Sequence, residues 1–234
     1  PMFVNAALQS HFGEPDPASV SSGGPQWDVL DIWKAAAPSI DLAAPDIYAR
    51  DERTVSAWLD GYARPDNPLF VPEIGNAADY ARFFWPVVGR GGIGFAPFGM
   101  DDSGFHNYPL GAKQLDAQTL DAFARPFALF RRIGADWARL SLDHPGWGVA
   151  RPDDGSSRST RMGDWTVTVS FEEWQFGQRD WTWLKRDPVP WAGTAVGGAA
   201  VLQIAPDQFL VAGDHARVVI APARGYIVPA AHAE

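Results

Sequence analysis

Five residues with reactive or ligand-binding side chains stand at or near the ends of four short apolar stretches in the first half of the sequence. They are Asn5, Asp46, Tyr48, Glu73 and Phe98. A carboxylate can act as a nucleophile or a base, and amide, phenol and carboxylate groups bind hydroxyls. An aromatic ring can cover the apolar face of a sugar. The set therefore predicts a site for a hydroxyl-rich ligand.

Glu73 ends the apolar run "PLFVPE" and is followed, through Gly75 and Asn76, by a helical pattern. Two interpretations fit this position. Glu73 can be a catalytic group, or it can anchor the N-terminus of the following helix, where the helix dipole favours negative charge. The pattern alone leaves both open. For Asp46 the structural interpretation is the stronger one, a buried acid that holds the turn after its strand.

Short apolar strands alternate with helical patterns over this half of the chain. The predicted strands are Met2–Leu8, Ile40–Tyr48, Pro68–Glu73 and Ile93–Gly99, and the predicted helices are Trp27–Ala37, Asp51–Ala63, Ala77–Gly89 and Ala117–Gly134. Asn76 is a predicted N-cap, Gly89 a predicted helix stop and Pro126 a predicted kink. The alternation predicts a parallel sheet covered by helices, with the strand ends at one edge. An open doubly wound sheet and a (β/α)₈ barrel both fit this alternation. The four strand–helix units span about 135 residues, which is about half of the roughly 250 residues of a complete barrel.

The pattern changes after Trp137. Apolar and polar residues alternate over Asp164–Gly177, which is typical of a half-buried strand, and Ala199–Ala223 predicts two or three more strands. The polar stretch Arg151–Asp164 is interpreted as a long surface loop. We therefore predict an α/β domain over residues 1–136 and an accessory, β-sandwich-like antiparallel domain over residues 137–234.

Composition and spacing argue against several functional classes. The formal net charge of −9 argues against a nucleic-acid surface, and the lack of cysteine excludes disulfides and thiol nucleophiles. No apolar run approaches a membrane span. "GRGGIG" (Gly89–Gly94) follows a helix and precedes a strand, the reverse of a dinucleotide-binding loop. The histidines show no metal-ligand spacing. His106–Tyr108 could touch a ligand, although ordinary loop structure is the favoured interpretation.

Several segments resemble the bacterial β-galactosidases of glycoside hydrolase family 35, in the subgroup whose barrel is followed by a β domain. They are "PMFVNAAL", "WDVLDIWKAAAPSIDLAAPDIY", "YARPDNPLFVPEIGNAADYARFFWPVVGRGGIGFAPFGMDD" and "DQFLVAG". Within them, "APDIY", "NPLFVPEIGN" and "GIGFAPFG" are specific rather than generic. The resemblance covers most of the chain.

The resemblance implies a (β/α)₈ barrel that hydrolyses terminal β-galactosides with retention, without metal or organic cofactor. The four strands would be barrel strands 5–8. Glu73 would match the nucleophile after strand 7, and Tyr48 the tyrosine that hydrogen-bonds it. Asn5 and Phe98 are sugar-pocket candidates by position only.

The family's acid/base glutamate follows strand 4, which this chain does not supply, so the resemblance implies an upstream half of the barrel as partner. The segment alone is then expected to be inactive. A second copy of the chain, forming a homodimer, is a further possible partner. Binding to nucleic acid or to a membrane is not expected. A periplasmic or secreted location is favoured. Two alternatives stay open, a non-catalytic carbohydrate-binding protein and another retaining β-glycosidase of the same clan.

Overall fold

A computed structural model describes residues 1–9, 12, 24–174 and 183–223. The first half forms a four-stranded parallel sheet in the order β1-β2-β3-β4. Its strands are β1 (Phe3–Ala7), β2 (Leu42–Ile47), β3 (Phe70–Ile74) and β4 (Gly94–Pro97). The helices are α1 (Leu30–Ala36), α2 (Glu52–Tyr62), a 3₁₀ helix (Ala78–Phe83), α3 (Phe84–Gly89) and α4 (Ala117–Asp143). The predicted alternation and the parallel sheet are confirmed.

One face of the parallel sheet forms the main core with the helices. All four α-helices contribute to this core, through Leu30, Leu59, Val87 and Phe123. From the sheet, Ile47, Val71 and Ile74 are fully buried in it. Val71 and Ile74 are three residues apart, so in a regular strand they would face opposite sides. The register of β3 against β4 shifts between them, and this irregularity lets both enter the core.

The third predicted helix, Ala77–Gly89, is divided in the structure. A 3₁₀ turn over Ala78–Phe83 leads into the short helix α3, which ends at Gly89 as predicted. The prediction that Asn76 caps this helix is wrong, because Ala77 occupies the cap position and no side chain caps the helix. Asn76 is fully buried and bonds instead to the loop that follows β4.

Helix α4 is longer than its apolar pattern predicts. Asp116 caps it by accepting a hydrogen bond from the Thr119 N–H at 2.8 Å, and the helix continues for 27 residues with Pro126 inside it. Residues 136 and 137 lie within α4. Trp137 is buried there, and its indole N–H donates to the Val88 carbonyl at 3.0 Å. The hydrogen bond therefore links the last turns of α4 to α3 before the first antiparallel strand begins.

Among the described residues, no helix has both the length and the apolar character needed to span a membrane.

Residues 144–174 and 183–223 form two three-stranded antiparallel sheets, as the alternating pattern of the second half predicts. One holds β5 (Gly146–Ala150), β8 (Gly198–Ala205) and β9 (Gln208–Asp214), and the other holds β10 (Arg217–Pro222), β7 (Trp165–Ser170) and β6 (Arg158–Met162). The interpretation of Arg151–Asp164 as a surface loop is wrong for β6. This polar strand pairs along β7 at the edge of its sheet, where polar side chains can face solvent.

The sheet of β5, β8 and β9 lies between two layers. Its residues Val149 and Ala199 form a core with Val169 and Phe171 from the segment of β7. Its other face packs against α3, where the backbones come unusually close. A Cβ added to Gly148 would lie 2.2 Å from the Trp85 carbonyl oxygen. Only glycine permits this contact, so the two halves of the chain meet backbone to backbone.

Candidate active site

The carboxyl ends of the first three strands bring three polar side chains to one edge of the parallel sheet. In the register, Asp46 pairs with Ala7 of β1 and with Glu73 of β3. The amide of Asn5 donates to an Asp46 carboxylate oxygen at 2.7 Å. Glu73 is opposite Asp46 in the ladder, just as the core residue Ile74 is opposite Ile47. Glu73 therefore lies on the sheet face opposite the helical core.

Tyr48 connects the end of β2 to Glu73. Its hydroxyl donates to Glu73 Oε1 at 2.6 Å and accepts from the Asn107 amide at 2.9 Å. The Tyr48 carbonyl in turn accepts from the Tyr80 hydroxyl at 2.8 Å. Short O–H···O⁻ bonds are among the stronger ones in proteins. The phenol therefore orients the carboxylate of Glu73, while within the described residues no hydrogen bond engages its other oxygen, Oε2.

Among the residues that the structure describes, no hydrogen bond supports the helix-anchor interpretation of Glu73. The 3₁₀ helix after β3 begins without a side-chain cap. The hydrogen bond that the Glu73 side chain makes goes to Tyr48, which is 25 residues away in the sequence. The carboxylate is thus directed towards the strand ends, and one of its oxygens can meet a ligand.

Burial changes the protonation of the groups around Glu73. Burial, and to a lesser extent the charge of Glu73, raise the pKa of Asp46 from 3.8 to about 6, although the hydrogen bond from Asn5 opposes the shift. Burial raises the pKa of Tyr48 well above its usual value, and its hydrogen bond to Glu73 adds to the rise. Tyr48 therefore stays a neutral donor at any physiological pH.

Replacement of Asp46 by Asn tests this electrostatic arrangement through stability. The folded-state pKa of Asp46 is raised, so folding disfavours its charged form. This penalty is absent below about pH 4, grows between about pH 4 and 6, and is complete above pH 6. Asn keeps an acceptor for Asn5 and carries no charge. We expect Asp46→Asn to be more stable than the parent at pH 7.5, by on the order of 1 kcal/mol after solvent screening.

The measurement is urea denaturation of both proteins at pH 4, 5.5 and 7.5. The gain should shrink as the pH falls and be lost near pH 4. Asp101→Asn is the control, since the hydrogen bonds from Ser103 lower the pKa of this exposed carboxyl and its replacement should give no gain at high pH. A gain for Asp46→Asn that does not depend on pH would contradict the assignment.

The loop after β4 brings one more side chain into the site. Buried Asn76 fixes this loop, accepting from the Ala112 N–H at 2.6 Å and donating to the His106 carbonyl at 3.2 Å. Asn107 adopts a left-handed backbone with φ of 58° and reaches Tyr48. The sequence pattern favours ordinary loop structure for His106–Tyr108 over contact with a ligand, and it does not single out Asn107. The position of this polar triplet after a strand was the available signal.

Phe98 lies at the same edge but is linked to it through its backbone. Its N–H donates to the Ile74 carbonyl at 2.9 Å, and its side chain is 41% exposed. The structure thus connects Asn5 with Asp46, and Tyr48 with Glu73, and it leaves the Phe98 side chain exposed. Within the described residues, no group of three or more His, Asp or Glu side chains is placed to hold a metal ion.

The similarity found to a known protein family lies mainly in the second half of the chain. No curated protein matches the sequence. Residues 123–233, which run from within α4 through the antiparallel sheets, match the model of a family described as "Domain of unknown function (DUF5597)".

Proposed function

We propose that this chain carries the nucleophile of a retaining exo-β-galactosidase similar to those of glycoside hydrolase family 35. The observation that supports this most is the 2.6 Å hydrogen bond from Tyr48 to Glu73 at the carboxyl edge of the parallel sheet. Active sites of parallel βα folds lie at this edge. A glycosidase nucleophile has to be ionised and oriented, and a neutral phenol donor favours both.

In the proposed reaction, Glu73 Oε2 attacks the anomeric carbon of a terminal β-galactoside. The bond to the leaving oxygen breaks as an acid on the complementary half of the site protonates that oxygen. A covalent galactosyl ester forms, and water, deprotonated by the same group, then releases β-galactose. The two carboxyl groups of such a site lie about 5–5.5 Å apart. Asn5 and Asp46 would bind sugar hydroxyls, and the exposed ring of Phe98 would stack on the sugar.

Sheet order supports a half-barrel over a doubly wound sheet. The strands follow one another in sequence order, and within the described residues every α-helix contributes to the core on one face. A doubly wound sheet reverses its strand order and carries helices on both faces. We therefore propose that β1–β4 are barrel strands 5–8, and that a complementary half supplies the remaining strands and the acid/base carboxyl.

Exposed apolar surface at the sheet edges is consistent with that partner. Phe3 is 45% exposed on β1, and Ile93, just before β4, is 63% exposed. An apolar groove of about 270 Å³ lies beside β4, between α3 and α4. Unpaired strand edges and open apolar surface favour association with further strands. The assembled enzyme, meaning this chain together with the polypeptide that completes its sheet, is the species in which activity is expected.

Replacement of Tyr48 by Phe tests the proposed function with a small structural change. The ring stays, while Glu73 loses a charge-assisted hydrogen bond that contributes about 1.5–3 kcal/mol. We expect kcat of the assembled enzyme on nitrophenyl β-galactoside to fall roughly ten- to a hundredfold. KM should change less than kcat, because the partner of the Tyr48 hydroxyl in the structure is the carboxylate of Glu73, the group that reacts.

Two further readouts make this experiment decisive. Proton NMR should show β-galactose as the first product, and Tyr62→Phe is the matched control. Tyr62 is also a buried phenol that donates a hydrogen bond, to the Pro25 carbonyl, but it lies in the helical core. Equal losses in the two variants, or α-galactose as first product, would overturn the proposal.

A further inference from the structure

A second pocket, of about 240 Å³, lies between the first turns of α4 and the segment that precedes β8. Its described lining residues do not include any member of the cluster around Glu73. Its polar and aromatic lining includes Gln118, Asp121, Arg125, Trp191, Thr194 and His215. This volume is smaller than the roughly 300–1,000 Å³ of typical drug-sized pockets. The occupant is therefore limited to a small group, such as one sugar ring.

Arg125 is held in this pocket by three partners. Its Nε donates to Asp214 at 3.0 Å, one terminal nitrogen donates to Asp121, and the other approaches His215 Nδ1 at 3.3 Å. Two carboxylates thus offset the single guanidinium charge. An anionic ligand would meet more negative than positive charge here, so the electrostatics favour a neutral ligand.

His215 lines the pocket, and its contact with Arg125 indicates which ring nitrogen carries the proton. Because Arg125 can only donate, Nδ1 of His215 accepts and its remaining proton sits on Nε2. Burial is the largest influence on the pKa of His215, and with the charge of Arg125 it lowers that pKa despite the opposing charge of Asp214. The imidazole is therefore neutral at pH 7, with a defined tautomer.

Trp191 and His215 form a rigid aromatic wall. Their rings stack with centroids 4.9 Å apart and planes inclined by 24°. The indole N–H of Trp191 donates to the Phe171 carbonyl at 2.8 Å, which fixes the orientation of the ring. Rigid aromatic surface beside oriented polar groups is the usual construction of a small-molecule pocket.

We propose that this pocket is a non-catalytic binding site for a neutral saccharide unit. The face of the Trp191 ring that His215 leaves uncovered contacts the apolar face of the sugar ring, and Gln118, Asp121 and the His215 Nε2–H bind its hydroxyls. Helices of parallel βα units run antiparallel to their strands, so the first turns of α4 lie towards the carboxyl edge that carries Glu73. The inference does not depend on catalysis by Glu73.

The test is isothermal titration of lactose, cellobiose and xylobiose into intact protein that carries Glu73→Gln, so that no hydrolysis occurs. Trp191→Ala should weaken one class of sites roughly tenfold or more, because the aromatic contact is lost. Gln118→Ala should weaken the same class to a smaller extent. Gln118 is exposed on α4 and alanine is a good helix former, so this variant keeps the fold.

Trp165→Ala is the matched control, because Trp165 is also half-buried and donates its indole N–H to a carbonyl, but it lies on β7. This variant should bind the sugars as the parent does. Unchanged titrations for both pocket variants would overturn the proposal, since any binding then belongs to the Glu73 site. Tighter binding of galacturonate than of the neutral sugars, or no saccharide binding at all, would also overturn it. The loss of hydrolysis in Glu73→Gln is measured in a separate assay, and its result tests only the catalytic proposal.

Discussion

Glu73→Gln should reduce kcat of the assembled enzyme on nitrophenyl β-galactoside by at least about 1,000-fold, as expected when a covalent nucleophile is removed. The amide has nearly the shape of the carboxylate, and its oxygen can still accept the hydrogen bond from Tyr48. It cannot form the glycosyl ester at a useful rate. The loss should therefore appear in kcat, while galactose binding survives.

Chemical rescue distinguishes a lost nucleophile from a damaged site. In Glu73→Ala, azide can enter the space that the side chain leaves and attack the anomeric carbon from the same side, as nitrophenolate departs. The product should be α-galactosyl azide, identified by NMR. Recovery of activity with this stereochemistry would show that position 73 faces the anomeric carbon.

Glu173→Gln is the control for both Glu73 variants. Glu173 forms an ion pair with Arg217 at 2.9 Å in the antiparallel half of the chain, so its loss should leave kcat within about twofold. A Glu73→Gln enzyme within tenfold of the parent would contradict the proposed mechanism. Sugar binding without any hydrolysis by the parent would instead favour the non-catalytic alternative.

Trp85→Ala is expected to cause the largest loss of stability, about 3–5 kcal/mol in the free energy of unfolding. Trp85 is 1% exposed and makes edge-to-face contacts with Phe84 and Phe130 at 5.6 and 6.3 Å. It lies close against Gly198 of β8, where an added Cβ would come within 2.3 Å of the indole. The variant therefore leaves a cavity between α3, α4 and the antiparallel sheet.

Urea denaturation followed by circular dichroism measures this effect. Trp183→Ala is the matched control, since the side chain of Trp183 is 74% exposed and its replacement should cost well under 1 kcal/mol. A loss below about 1 kcal/mol for Trp85→Ala would show that the contact between the two halves of the chain contributes little. A loss near 4 kcal/mol is expected if Trp85 fills the space between α3, α4 and the antiparallel sheet.

Local patterns in the sequence were sufficient to predict the strands of the parallel sheet and the edge of that sheet at which the candidate site lies. Short apolar runs separated by helical periodicity predicted each parallel strand to within a few residues, because strands of a sheet covered by helices are mostly apolar. Parallel strands end at a common edge, so the positions of Asn5, Asp46, Tyr48 and Glu73 followed from counting along each strand. The alternation in Trp165–Ser170 predicted antiparallel pairing in the same way.

The sequence by itself therefore determined most of the helices and strands and the polar groups at the strand ends, since both depend on residues close together in the chain, but it did not indicate β6 or the contact made by Asn107. The tertiary structure decided the long-range contacts at the two candidate sites, of which the family resemblance implied only the hydrogen bond from Tyr48 to Glu73. Tyr48 meets Glu73 across 25 residues, and Arg125 meets His215 across 90. The shift in β3 that turns Glu73 away from the core depends on pairing with β4. The close approach of Gly148 to Trp85 depends on how two sheets pack. Such distances arise from the simultaneous packing of many side chains, which local periodicity does not encode.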